Sequence, residues 1–361
     1  MPRLGATVAD LTMFRRLREA AMARPSPSLT DTPLTAVEPT GLNPGQLKMI
    51  AMVPPGLPRG APLVVVLHGC LQNAAGFDAG AGWSTLARRH GFALLYPEQP
   101  NSNNANCCFN WFQPDDVTRG HGEVASIAEM IGQMVGSHGL DPARVYIAGL
   151  SAGGAMTAAM LAIYPELFAA GAIIAGLPFG AATTMTMAFD AMRHVRPRSA
   201  TEWGDLVRAA SPSAGPRPPV QLWHGAADTV VTASAMEEAA KQWQDALGLT
   251  AAARDTIDGI SHASWIAQGG RVMLETYLLP DVGHGIPLHS GSADLDESVG
   301  TPGAYMLEAG IGSTCRIAGS WGLLTQAARA RPAKAPATLN KEPDFITGIV
   351  RSALRAAGIR I

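Results

Sequence analysis

The sequence predicts an α/β chain built on a doubly wound, mostly parallel sheet. Three observations carry that expectation. Strand-like and helix-like segments alternate along most of the 361 residues. Runs such as "PLVVVLHG" (62–69) are continuously β-branched and apolar, as strands buried on both faces are. A composition of 47% hydrophobic and 16% charged residues suits a soluble protein with a large buried core.

Taken in order, residues 1–45 read as an amphipathic helix (about 8–23) followed by a Pro/Ser/Thr-rich connector. "LKMIAMVP" (47–54) alternates like an early strand, and 62–69 supplies a second. "GWSTLARRHG" (82–91) is a short helix closed by Gly91, and "FALLYP" (92–97) the strand after it. The Asn-rich segment "EQPNSNNANCCFNWFQPDDVTRGHG" (98–122) is too long for a connector, which predicts a functional loop. In "EVASIAEMIGQMVGSHG" (123–139), Val124, Ile127, Ala128, Ile131, Met134 and Val135 recur at helical spacing.

"DPARVYIAG" (141–149) gives a turn and a strand, and "SAGGAMTAAMLAIYP" (151–165) a helix stopped by Pro165. "FAAGAIIAG" (168–176) is the next strand. Residues 178–214 break the rhythm and read as a helical insertion covering a site. "PVQLWHG" (219–225) resumes the sheet, "ASAMEEAAKQWQDALG" (233–248) is a helix, and "RVMLETYLLP" (271–280) a final strand. The expected catalytic domain is 46–323, with a linker and short C-terminal helix over 324–361. Ligands of such a sheet sit at the carboxyl ends of its strands.

A net charge of −2 offers no basic field, so nucleic acid and anionic lipid are not expected partners. The longest apolar stretch, "FAAGAIIAGLPFGAA" (168–182), contains Pro178 and is shorter than the ~20 residues a bilayer needs. Asp10 interrupts the N-terminal apolar patch and basic residues follow it, the reverse of a signal peptide, so a cytoplasmic chain is expected. Four cysteines are too few for a disulfide scaffold, and Cys107-Cys108 lacks a histidine at zinc-ligand spacing. Neither metal nor cofactor is expected.

"GLSAGG" (149–154) fits Gly-x-Ser-x-Gly between a buried strand and a helix. In that setting Ser151 occupies a sharp turn that lifts its hydroxyl above the sheet, and Gly149 and Gly153 are required because a Cβ would strike neighbouring backbone. A serine needs a base, and the acid and histidine should follow in that order. Asp228 lies just past the strand "VQLWHG", and His284 just past the last strand. Ser151 is the expected nucleophile, His284 the proton carrier, and Asp228 the group that fixes the imidazole.

The weighed alternatives are His224, His262 and His289 for the base, and Asp258 and Asp281 for the acid, with His289 also a candidate lining residue. One oxyanion donor is the Ala152 N–H and the other the N–H of Cys70 or Leu71. His68 reads as structural, and Cys70 as nucleophile lacks an activating base. Trp111 and Phe112 offer apolar walls for a short acyl chain, and Met185, Met187, Phe189 and Trp203 are candidates for covering the cleft.

Together "LHGCLQ", "CFNWF" (108–112), "GLSAGG", "HGAADTVV" and "GHGIPLHSG" resemble the esterase family of polyhydroxybutyrate depolymerases, over about 45–323. The resemblance implies an α/β-hydrolase fold, a relation to feruloyl and acetylxylan esterases, and a triad of Ser151, Asp228 and His284. It also implies a disulfide between Cys70 and Cys108, and a secreted or periplasmic site as the alternative to the cytoplasm. The expected activity is hydrolysis of short-chain poly(3-hydroxyalkanoate) or hydroxybutyrate esters or oligomers through an acyl-enzyme, with a small ester, an oligomer or a polyester as the partner. Feruloyl or acetylxylan esterase is the alternative within the class, and an inactive hydrolase fold acting as a binding module the alternative outside it.

Overall fold

The structure, a computed structural model, describes residues 27–213 and 215–325. The helix expected near 8–23, the linker from 326 on and the C-terminal helix lie outside the described residues.

The first five strands are β1 (Thr35–Val37), β2 (Lys48–Met52), β3 (Leu63–Leu67), β4 (Ala93–Glu98) and β5 (Val145–Leu150). The next five are β6 (Ala170–Ile174), β7 (Val220–Gly225), β8 (Ala252–Ile257), β9 (Ile260–Ile266) and β10 (Val272–Leu279). They form one sheet in the order β1-β2-β4-β3-β5-β6-β7-β10-β9-β8. The inner strands from β4 to β10 are parallel. Both margins are antiparallel, with β1 and β2 on one side and β9 and β8 on the other.

Helices α1 (Ala74–Ala81), α2 (Trp83–His90), α3 (Gly122–His138) and α4 (Ala152–Ile163) belong to the first half. Helices α5 (Met185–Arg193), α6 (Ala200–Ala209), α7 (Ser234–Ala246) and α8 (Ser313–Ser320) belong to the second. Successive strand residues face opposite sides, and the core divides accordingly. Leu63, Val65 and Leu67 join an apolar cluster with residues of α3, α4 and α7, whereas Val64 and Val66 join one with α1, α2 and α8. That two-sided burial is why β3 and β5 read as continuous apolar runs. Helix α4 is buried at every position, which its Ala, Gly and Met content permits by letting it lie close to the sheet. Gly91 ends α2 in the left-handed conformation, its N–H donating to the Ala87 carbonyl at 2.9 Å.

Strand β3 lies between β4 and β5, so the winding reverses there. A crevice opens outside the carboxyl ends of strands at such a reversal. The residues just past those ends are His68-Gly69-Cys70 and Ser151.

Several elements differ from the sequence expectation. Part of the expected connector forms β1, paired with β2 at the sheet margin. Helix α1 and the small parallel pair β11 (Ile286–Leu288) and β12 (Met306–Glu308) were not expected either. A hairpin, β8–β9, precedes the last strand. Its two-residue turn, Asp258-Gly259, has both residues at positive φ, the Asp-Gly signature of a tight hairpin. Strand β8 ("AARDTI") is mostly exposed at the edge, so its apolar alternation is weak. The insertion folds as α5 and α6. The Asn-rich loop turns inward, burying Cys108, Phe109, Asn110, Trp111 and Phe112.

Candidate active site

Ser151 sits between β5 and α4 with φ 57° and ψ −117°, a conformation that L-residues other than glycine rarely adopt. Its N–H donates to the Ile174 carbonyl at 2.9 Å, tying the turn to β6. A Cβ on Gly149 would collide with the Gly153 carbonyl, and one on Gly153 with the Leu67 and His68 carbonyls. The two glycines therefore let β5, α4 and the end of β3 close around the serine.

His284 follows β10, and its Nδ1 lies 2.7 Å from Asp228 Oδ2. Asp228 follows β7, and its other oxygen accepts the N–H groups of Val230 (2.8 Å) and Val231 (2.9 Å). Burial alone would raise the Asp228 pKa. Hydrogen bonding to His224 and His284 outweighs it and holds the carboxyl well below the usual carboxylate range. Ser151 and His284 line one cleft, so the three residues named from the sequence come together in space.

The oxyanion candidates separate. Ala152 opens α4, where N–H groups have no intrahelical acceptor. The Leu71 N–H donates to the Asn106 carbonyl at 2.7 Å, so it is committed elsewhere and Cys70 is the remaining candidate for the second donor. A disulfide joins Cys70 to Cys108 and ties this loop to the Asn-rich one.

The cleft has two lobes meeting at Ser151. One is lined by Trp111, Phe112, Leu177, Met185, Phe189 and Asn106, the other by Gln72, Val230, His284 and Tyr305. Met192 of α5 borders both. Trp111 and Phe112 pack edge to face at 5.6 Å, which fixes the apolar wall. Tyr305 meets the His284 ring edge-on at 6.1 Å, and burial pushes its hydroxyl up to about 12.

Other sequence candidates lie elsewhere. His289 lines neither lobe; its Nδ1 is 3.3 Å from Glu297, which corrects the expectation that it borders the site. His262 is on β9 rather than in a loop, between Asp255 (2.6 Å) and Glu275 (3.3 Å). His224 donates from Nε2 to the Val231 carbonyl at 2.8 Å and lies 3.4 Å from Asp228, a buried support of the acid loop. Asp258 pairs with Arg316. Trp203 is core, its Nε1 donating to Glu238 at 2.7 Å, and Met187 is exposed outside the cleft. His68 donates from Nδ1 to the Gly69 carbonyl (2.8 Å) and accepts the Gln99 N–H at Nε2 (3.1 Å), and burial lowers its pKa.

Sequence reasoning missed Tyr305, Met192, Leu177, Gln72 and Asn106. It also missed a buried brace behind the site. Glu123, at the start of α3, accepts the Asn110 N–H at 2.9 Å and a hydrogen bond from Gln99 Nε2. Gln99 in turn donates to the Cys108 carbonyl at 3.0 Å. Burial first, then the nearby Asp116 charge, raises the Glu123 carboxyl to about 8.

Comparisons with known proteins give the family. Residues 47–260 match the family model described as Esterase PHB depolymerase. Poly(3-hydroxyalkanoate) depolymerase C of Paucimonas lemoignei is 42% identical over 294 residues, covering 81% of this chain and 70% of that protein. Feruloyl esterase B of Thermothelomyces thermophilus is 33% identical over 260 residues, 70% of this chain and 88% of the relative. Among solved structures, acetyl xylan esterase from Aspergillus awamori superposes with a TM-score of 0.64 at 27% identity, covering 70% of this chain and 93% of that one. An elbow serine at the reversal of a parallel sheet, and a family match across most of that sheet, lead to one assignment: the chain belongs to the PHB depolymerase esterase family and is an ester hydrolase of the α/β-hydrolase fold.

Proposed function

We propose that the chain hydrolyses short-chain 3-hydroxyalkanoate esters or oligomers through an acyl-enzyme on Ser151, with His284 and Asp228 completing the triad. The observation that carries this reading is the 2.7 Å contact between His284 Nδ1 and Asp228, in the cleft that also holds the strained Ser151. Nδ1–H donates to the carboxylate, which leaves Nε2 free to take the serine proton and return it to the leaving alcohol. Asp228, kept ionised, stabilises the imidazolium formed on the way. The N–H groups of Ala152 and Cys70 receive the carbonyl oxygen as it becomes negative.

The substrate class rests on the 42% identity to a poly(3-hydroxyalkanoate) depolymerase and on a small, apolar-walled lobe beside Ser151. Release of feruloyl or acetyl groups is the second reading, favoured by the 33% relative and the acetyl xylan esterase superposition. A panel of p-nitrophenyl esters, soluble hydroxybutyrate oligomers and methyl ferulate separates the two. Oligomers are expected to turn over best, and a preference for methyl ferulate overturns the substrate assignment. Ser151→Ala is expected to lower turnover by about 10⁴-fold and to abolish fluorophosphonate labelling. A variant that keeps most of its activity removes Ser151 from this role, and an unlabelled wild type favours the inactive binding module.

A further inference from the structure

The two lobes are chemically distinguishable, given the triad proposed above. In acyl transfer the imidazole must reach both the serine oxygen and the leaving oxygen, because it moves a proton between them. The leaving alcohol therefore lies in the lobe that His284 lines, beside Tyr305, Val230 and Gln72. The acyl chain extends the other way, into the lobe of Trp111, Phe112, Leu177 and Phe189, which His284 does not line.

That acyl lobe is apolar apart from a few groups, and Asn106 stands out among them. Its backbone is pinned on both sides: the carbonyl accepts the Leu71 N–H at 2.7 Å, and the N–H donates to Asn104 Oδ1 at 3.0 Å. The disulfide two residues on, at Cys108, anchors the same segment to Cys70. Asn104, also at this lobe, spends its side chain inside the loop, on the Asn106 and Cys108 N–H groups and on Asn110. The Asn106 side-chain amide has no hydrogen-bond partner among the described residues. A fixed backbone thus holds Asn106, whose side-chain amide is uncommitted, at the wall of a mostly apolar lobe, one residue-to-residue hydrogen bond from the loop after β3.

We propose that Asn106 is a specificity-determining residue that hydrogen-bonds the oxygen on the third carbon of a 3-hydroxyacyl unit. An amide NH₂ donates to a free 3-hydroxyl at a chain end, and more weakly to the ester alkoxy oxygen that occupies this position within an oligomer. A plain acyl chain of the same length presents only CH₂ there and leaves the amide unpaired.

The test compares methyl 3-hydroxybutyrate with methyl butyrate, which share a leaving group and differ at that oxygen. Acid release is followed by pH-stat titration, and each kcat/KM is divided by the ester's rate constant for hydroxide hydrolysis. The wild type is expected to favour the hydroxylated ester several-fold. Asn106→Leu is expected to lower the ratio of the two kcat/KM values about tenfold, the worth of one well-made hydrogen bond. Asn106→Ser, which keeps a donor, should recover part of the preference. Equal losses on both esters, or no change in their ratio, overturn the assignment. If Asn106→Leu does not fold, the wild-type ratio still decides, and a value at or below one refutes the proposal. A wild type that cleaves methyl ferulate in preference to both esters overturns the substrate reading itself. A wild type that prefers the hydroxylated ester while Asn106→Leu retains that preference overturns Asn106 alone.

Discussion

Ser151 is held at a φ that costs on the order of 1–3 kcal/mol for a residue with a Cβ, and its neighbours bear that strain. The Ile174 hydrogen bond fixes its amide, and Gly149 and Gly153 let three backbones meet where no side chain fits. Gly153→Ala is expected to destabilise the fold by about 3 kcal/mol, because the obstructing atoms are the carbonyls of Leu67 and His68 and not a flexible side chain. Tm and fluorophosphonate labelling should both fall, and unchanged values refute the packing account. The three positions proposed as a triad were legible because each is a chemical residue type just past a buried strand. Tyr305 and Met192 were not, since neither has a local pattern that distinguishes a cleft wall from ordinary core.

At the scale of elements, the site depends on how two loops are fastened. The loop after β3 supplies the Cys70 N–H, and the Asn-rich loop supplies Trp111, Phe112 and Asn106; the Cys70–Cys108 disulfide and the Leu71–Asn106 hydrogen bond join them. Closing a loop across a separation of 38 residues is worth about 4 kcal/mol in the chain-entropy treatment. The double variant Cys70→Ser/Cys108→Ser is expected to lose a large part of that stability. Its kcat should fall more than its KM rises, because the proposed oxyanion donor, the N–H of residue 70, rides on the freed segment. Steady-state kinetics with a Tm measurement checks this, and an intact kcat in the double variant refutes the coupling. The hairpin β8–β9 carried a readable Asp-Gly turn signal, but its exposed first strand obscured the pairing.

At the scale of the whole molecule, the reversal at β3 gathers the site, and a buried carboxyl behind it links the fold to pH. Glu123 is almost fully buried and titrates near 8, above the value near 4.3 expected for an open chain. Between those values the folded chain binds more protons at this position than the unfolded one, so stability falls as pH rises. The contribution is complete below about pH 4.3 and has been lost by about pH 8. Glu123→Gln removes the titration. The Tm difference between wild type and variant is expected to shift against the wild type from pH 5 to pH 8 in scanning calorimetry. Parallel Tm curves would refute the role of this group.

The parallel sheet, the turn at Ser151 and the proposed order of serine, acid and histidine were readable in the chain alone, because burial on two faces and a glycine-flanked turn leave local marks. Tertiary structure decided the rest. Whether Leu71 or Cys70 offers a free N–H depends on the carbonyl of Asn106, 35 positions away in the chain. His289 lies against Glu297 and outside both lobes, while α5 and the Asn-rich loop bring Phe189, Trp111 and Phe112 to one of them. Hydrogen-bond commitment and pocket shape arise between distant segments, and no window of sequence contains both partners.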